Sequence, residues 1–141
     1  MYRAYNYVRG ANRGITSESD YPYNAAFSGS CLKQGGSTKI KTVLYSNRIS
    51  RCRGLREIVK LSPVSVALNA DGWSSYSSGV FNSNCQLTSA THAVLLTGYD
   101  SSTNWRIKNS WGTGWGENGY MTLGKNNCRG ICKYRGEMVV V

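Results

Sequence analysis

His92 is the only histidine among 141 residues, and imidazole is the side chain that shuttles protons near neutral pH. It opens an apolar run, His92-Ala93-Val94-Leu95-Leu96. A lone ring in such a run is more often structural or simply exposed. A second run, Trp105-Arg106-Ile107-Lys108-Asn109, changes that. Side chains of an extended chain alternate, so Trp105, Ile107 and Asn109 share one face and Arg106 and Lys108 the other. If the two runs pair as neighbouring strands, Asn109 comes close to His92. Its side-chain carbonyl would then accept the proton of one ring nitrogen, fix the tautomer and leave the other nitrogen to a nucleophile. A neutral orienting group suits a thiolate–imidazolium pair, because a thiol already ionises easily. Trp111, two residues on, would cover this bond and exclude water.

The elements that must position these residues are short. Apolar groups at Met1, Ala4, Tyr5 and Val8 have helical spacing, ended by Gly10 to Gly14. Ser19 to Tyr23 reads as a Pro-containing extended turn, Ser28 to Gly36 as a Gly-rich loop, and Thr38 to Tyr45 alternates like a strand. Leu55, Ile58 and Val59 mark one face of a short helix that Ser62-Pro63 stops. Pro63 to Leu68 is a strand with Pro at its first position, where a missing N–H is tolerated. A polar, Ser-rich loop runs to Gln86. His92 to Tyr99 and Asn104 to Ser110 are successive strands joined through Asp100-Ser101-Ser102, with further strands at Gly119 to Leu123 and Met138 to Val141. The whole is one strand-rich α+β domain, residues 1–141, with no repeat or linker dividing it.

Composition excludes several classes. Four Trp, ten Tyr and 40% hydrophobic residues are too rich a supply for a disordered tail. No apolar run approaches the ~20 residues of a membrane span, and Met1-Tyr2-Arg3-Ala4 leads into no signal-peptide core. The net charge of +10 invites nucleic acid or another polyanion as a partner. The cations form no block of five or six, and the aromatics are not interleaved with them, so a solvated basic face is the better reading. The cysteines at 31, 52, 85, 128 and 132 contain no C-x-x-C pair, and with one His no metal site is expected. Disulfides in an oxidising compartment fit better, with the odd count leaving one thiol free or paired outside the chain.

The stretch from Thr91-His92-Ala93 to Gly98-Tyr99, followed by Lys108-Asn109-Ser110-Trp111-Gly112 and on to Gly119-Tyr120, resembles the His and Asn motifs of papain-like, cathepsin L-like cysteine peptidases. More matches follow the family's order. Tyr21-Pro22-Tyr23 with Cys31 resembles the loop leading into the second domain. Pro63-Val64-Ser65-Val66-Ala67 resembles a strand of the substrate cleft, and Tyr76 to Phe81 the loop before the His. The resemblance implies the antiparallel, β-barrel-like second domain of that fold with short helices. It implies His92 as general acid–base, Asn109 as its orienter, Trp111 as their shield and Trp115 on the leaving-group side. Ala67, Ala90 and Ala93 would line the main specificity pocket, with Tyr134 closing its far end, although ordinary strand packing explains these alanines equally well. It also implies a disulfide from Cys85 to Cys128, with Cys132 as competing partner, a Cys31 paired beyond this chain, and no cofactor.

The sequence departs from the family pattern, above all at the nucleophile. The family nucleophile lies in a C-G-[SA]-C-[WY] segment roughly 130–150 residues before the His, which would fall about 40 residues before Met1. By this resemblance the chain is the C-terminal part of a peptidase domain, expected to be inactive alone. Its expected partners are the nucleophile-bearing N-terminal half, peptide or protein substrates and protein inhibitors, in a lysosome-like or secreted setting. The alternatives are a non-catalytic papain-like binding protein or an inactive fragment.

Overall fold

The computed structural model describes residues 17–23, 52–82, 90–125 and 131, with Cys52 and Arg53 described in their backbone alone. The expected elements at 1–8, 28–36, 38–45 and 138–141, and the side chains of all five cysteines and Tyr134, lie outside the described residues. Helix α1 spans Cys52–Val59. Its apolar positions recur at helical spacing, so Leu55 and Val59 are buried and Ile58 packs against the same core. The helix ends where the Leu61 and Ser62 N–H groups turn back to the Ile58 carbonyl, just before Pro63.

Five strands follow: β1 (Val64–Leu68), β2 (Val80–Phe81), β3 (His92–Tyr99), β4 (Trp105–Lys108) and β5 (Tyr120–Leu123). They form one sheet in the order β1-β3-β4-β5-β2. Three pairings are antiparallel, as expected, but β2 joins β5 in parallel. The expected loop to Gln86 therefore holds structure of its own, a 3₁₀ turn at Trp73–Ser75 and the edge strand β2. Neither is long enough to leave a periodic pattern in the sequence.

Burial alternates along each strand. Val64, Val66 and Leu68 of β1, Val94 and Leu96 of β3, Trp105 and Ile107 of β4, and Met121 and Leu123 of β5 face one side. There they meet Leu55, Val59, Trp73, Tyr76 and Ile131. Helix α1 covers this side against β3.

Strict alternation along β3 would send Leu96 and Tyr99 to opposite faces. Instead Leu96 pairs with Ile107 and Tyr99 with Trp105, so β3 carries one residue more than β4 between these pairs. This is a β-bulge. The Thr97 hydroxyl donates to the Arg106 carbonyl across it (3.1 Å). The extra residue keeps Tyr99 against Trp105, ring centroids 6.1 Å apart. It also keeps His92, Val94 and Leu96 in phase with Ile107 and Asn109.

Candidate active site

His92 begins β3, and Asn109 directly follows the last residue of β4, which stops two residues before the expected end at Ser110. The Asn109 N–H donates to the Gly119 carbonyl (2.9 Å), which ties this position to the start of β5. Across the sheet, His92 lies opposite Leu68 of β1. The two residues singled out in the sequence meet here: His92 Nε2 is 2.8 Å from Asn109 Oδ1.

The direction of this bond follows from a second contact. Asn109 Oδ1 also accepts the Ser110 backbone N–H at 2.8 Å. A backbone N–H only donates, so the atom at that position is the amide oxygen. The ring nitrogen facing it must therefore carry the proton. His92 is held as the Nε2–H tautomer, and Nδ1 is the nitrogen left for proton transfer. The amide nitrogen of Asn109 is buried, with no hydrogen-bond partner among the described residues.

Aromatic rings surround the pair. Trp111 lies over His92 with centroids 5.0 Å apart and planes at 31°, while staying 43% exposed itself. Trp73, fully buried, meets His92 edge-on at 6.3 Å. Trp115 stacks on Trp73 at 6.4 Å and meets Trp111 edge-on at 5.3 Å. Its indole N–H donates to the Trp73 carbonyl (2.9 Å), so Trp115 is anchored to the core, whereas Trp111 faces solvent. Trp73 was not among the residues singled out by sequence, and Tyr76 entered only as the first residue of the stretch that resembles the loop before the family His. A Trp in a Ser-rich stretch is the one local signal that could have pointed to Trp73.

A pocket of about 390 Å³ opens beside the pair, lined by Ser65, Ala93, Val94, Leu95, Lys108, Asn109 and Ser110. Ala93 is exposed on its wall. Ala67 sits opposite Ala93 in the β1–β3 register, and Ala90 is exposed just before β3, but neither lines this pocket. Cys85 and Cys128 lie outside the described residues. Among the described residues no group of three His, Cys, Asp or Glu is arranged to hold a metal ion, and no helix is long and apolar enough to cross a membrane.

A third group of contacts fixes the segment that carries the two indoles. The Glu117 carboxylate accepts the Gly79 N–H (2.9 Å) and pairs with the Arg106 guanidinium. That guanidinium also donates to Thr122 Oγ1 (3.1 Å) and lies 5.1 Å from the Tyr120 ring centroid. The bond from Arg106, more than any other contact, holds the Glu117 carboxyl below its ordinary range. Tyr76 donates to the Gly79 carbonyl (2.7 Å) and accepts the Thr122 N–H (3.2 Å), and burial pushes its phenol up.

An imidazole locked by an amide, roofed by an indole and set at the end of an antiparallel strand pair is the arrangement the resemblance anticipates in a thiol hydrolase. The profile of the papain family cysteine proteases matches residues 1–141, and the chain belongs to that family. It is 36% identical to cathepsin K of Gallus gallus over 146 residues, covering 89% of this chain and 40% of that protein. It is 38% identical to the gamete and mating-type specific protein A of Dictyostelium discoideum over 116 residues, 81% of this chain and 26% of that one. The bromelain protease of Ananas comosus, solved with the E64 inhibitor, superposes with a TM-score of 0.77 at 32% identity, covering 98% of this chain and 66% of that chain. Procathepsin L2 from the larval midgut of Tenebrio molitor gives 0.75 at 36% identity, covering 97% and 45%. The chain spans less than half the length of the curated relatives it matches.

Proposed function

We propose that this chain supplies the His–Asn half of a Cys-His-Asn peptidase site, with the nucleophilic cysteine contributed by an N-terminal half of the domain. The supporting observation is the 2.8 Å bond from His92 Nε2–H to Asn109 Oδ1, which presents Nδ1 as the proton-transfer atom. In the assembled site Nδ1 takes the thiol proton. The thiolate attacks the peptide carbonyl carbon, and as the C–N bond breaks Nδ1–H gives its proton to the leaving amine. A thioester remains. Water then attacks it with Nδ1 as base, releasing the acid and restoring the thiol.

Asn109 keeps the ring in register through both proton transfers, and Trp111 keeps water off their bond. Ala67, Ala90 and Ala93 are proposed to shape the wall that receives a substrate side chain, and Trp115 to line the leaving-group side. The Cys85–Cys128 disulfide and a lysosome-like or secreted setting belong to the same proposal, supported by the cysteine count and the family. The substrates are peptides or proteins, and no cofactor is required by these steps.

The test is hydrolysis of a fluorogenic peptide by the chain joined to a nucleophile-bearing N-terminal half, with and without a thiol-directed epoxide. Thiol-sensitive turnover that falls by roughly 10²–10⁴-fold in His92→Ala is the expected result. Assembly without turnover would overturn it in favour of a papain-like binding protein.

A further inference from the structure

The Trp111 indole must stay on the His92 ring, yet little in its own segment holds it there. Trp111 is half exposed, so burial alone fixes it weakly. The segment from Gly112 to Gly119 contains four residues with left-handed φ: Gly112 at 85°, Gly116 at 58°, Asn118 at 56° and Gly119 at 87°. Its internal backbone bonds are the Trp115 N–H to the Gly112 carbonyl (3.4 Å) and the Gly119 N–H to the Trp115 carbonyl (2.7 Å). A loop so turned needs ties to the sheet.

Glu117 is where those ties converge. Its backbone exchanges bonds with Tyr120 at 2.9 and 3.2 Å. One carboxylate oxygen accepts the Gly79 N–H, next to β2. The other meets Arg106 of β4, with Thr122 of β5 at 3.5 Å. One side chain thus joins the indole-bearing loop to β4, to β5 and to the residue that precedes β2. Arg106 alternates with the buried Trp105 and Ile107 along β4, so its side chain leaves the sheet on the other face. Its position suits a clamp.

We propose that Glu117, with Arg106 as its counter-charge, is a positioning residue that holds Trp111 over the His92–Asn109 pair. This rests on the role given to that pair above. The carboxyl's lowered titration range keeps the clamp charged under mildly acidic conditions.

The test uses isotope-labelled full chain and two magnetic-resonance readouts: the His92 to Trp111 ring cross-relaxation, and the tautomer shifts of the His92 ring nitrogens. In Glu117→Ala the cross-relaxation should weaken at least threefold, while the methyl shifts of Leu96 and Ile107 stay in place. Glu117→Gln, whose single amide oxygen can accept from Gly79 or from Arg106 while its NH2 faces the other donor, should restore only part of it. Unchanged cross-relaxation in Glu117→Ala would overturn the clamp. If that variant does not fold, Arg106→Gln replaces it, with a weakened contact expected and an unchanged one decisive against. A wild-type His92 without the Nε2–H tautomer would instead overturn the underlying reading of the pair, whatever the clamp variants do.

Discussion

At the centre of the sheet Leu96, Ile107, Met121 and Leu123 are fully buried and interlock without direction. At the end where β3 starts and β4 stops, His92, Asn109, Trp111, Trp115 and Glu117 are each partly exposed or exposed. They are placed by hydrogen bonds, ring contacts and one ion pair. Dispersion and apolar burial tolerate small shifts of shape, because many weak contacts share the load. A directed bond such as His92 to Asn109 does not, since it weakens steeply with angle and distance. The two regions therefore divide the work: one supplies stability, the other geometry. A change at the centre should leave the geometry of the site nearly untouched.

The most damaging way to probe this division is in the centre. Ile107→Ala removes a fully buried branched side chain and should cost ~2–5 kcal/mol, read from the urea midpoint of the chain. The His92 tautomer in the fraction that remains folded should be unchanged. Gly116→Ala should rank next. A Cβ there would lie 2.6 Å from the Tyr120 carbonyl oxygen and 3.1 Å from the Tyr76 ring, on a residue at φ 58°. Roughly 1–3 kcal/mol is expected from backbone strain of this kind, together with a displaced Trp111 indole, which would show in its N–H resonance.

The smallest effect is expected from Glu117→Gln. The folded state holds the Glu117 carboxyl low, so its contribution to stability is complete above the ordinary carboxylate range. It is lost as pH falls through the folded value. A partly exposed pair of this kind is worth about 1 kcal/mol or less. The wild type should exceed the Gln variant by that margin near neutrality, and the gap should close in acid. A gap that widens in acid would place the stabilising charge elsewhere.

Much of the centre was legible in the sequence, because period-two alternation and a 3.6-residue stripe are direct imprints of burial. The helix face of Leu55, Ile58 and Val59, the strand after Pro63 and the limits of β3 at His92 and Tyr99 all carry that imprint. The extra residue near Thr97 does not, since a bulge breaks the very alternation used to find strands. The turn at Trp73 and the strand Val80–Phe81 are too short to repeat anything. At the site, His92, Asn109 and Trp111 were readable from residue type and spacing. The underpinning by Trp73, and the ties from Glu117 to Gly79, Arg106 and Thr122, depend on contacts between distant segments that no local pattern encodes.

The most direct measurement is the nitrogen spectrum of the His92 ring in the full chain, compared with Asn109→Ala. A protonated Nε2 and an unprotonated Nδ1 are expected in the neutral ring, with a mixture of both tautomers once the Asn109 oxygen is removed. A wild-type ring already mixed, or protonated at Nδ1, would contradict that assignment.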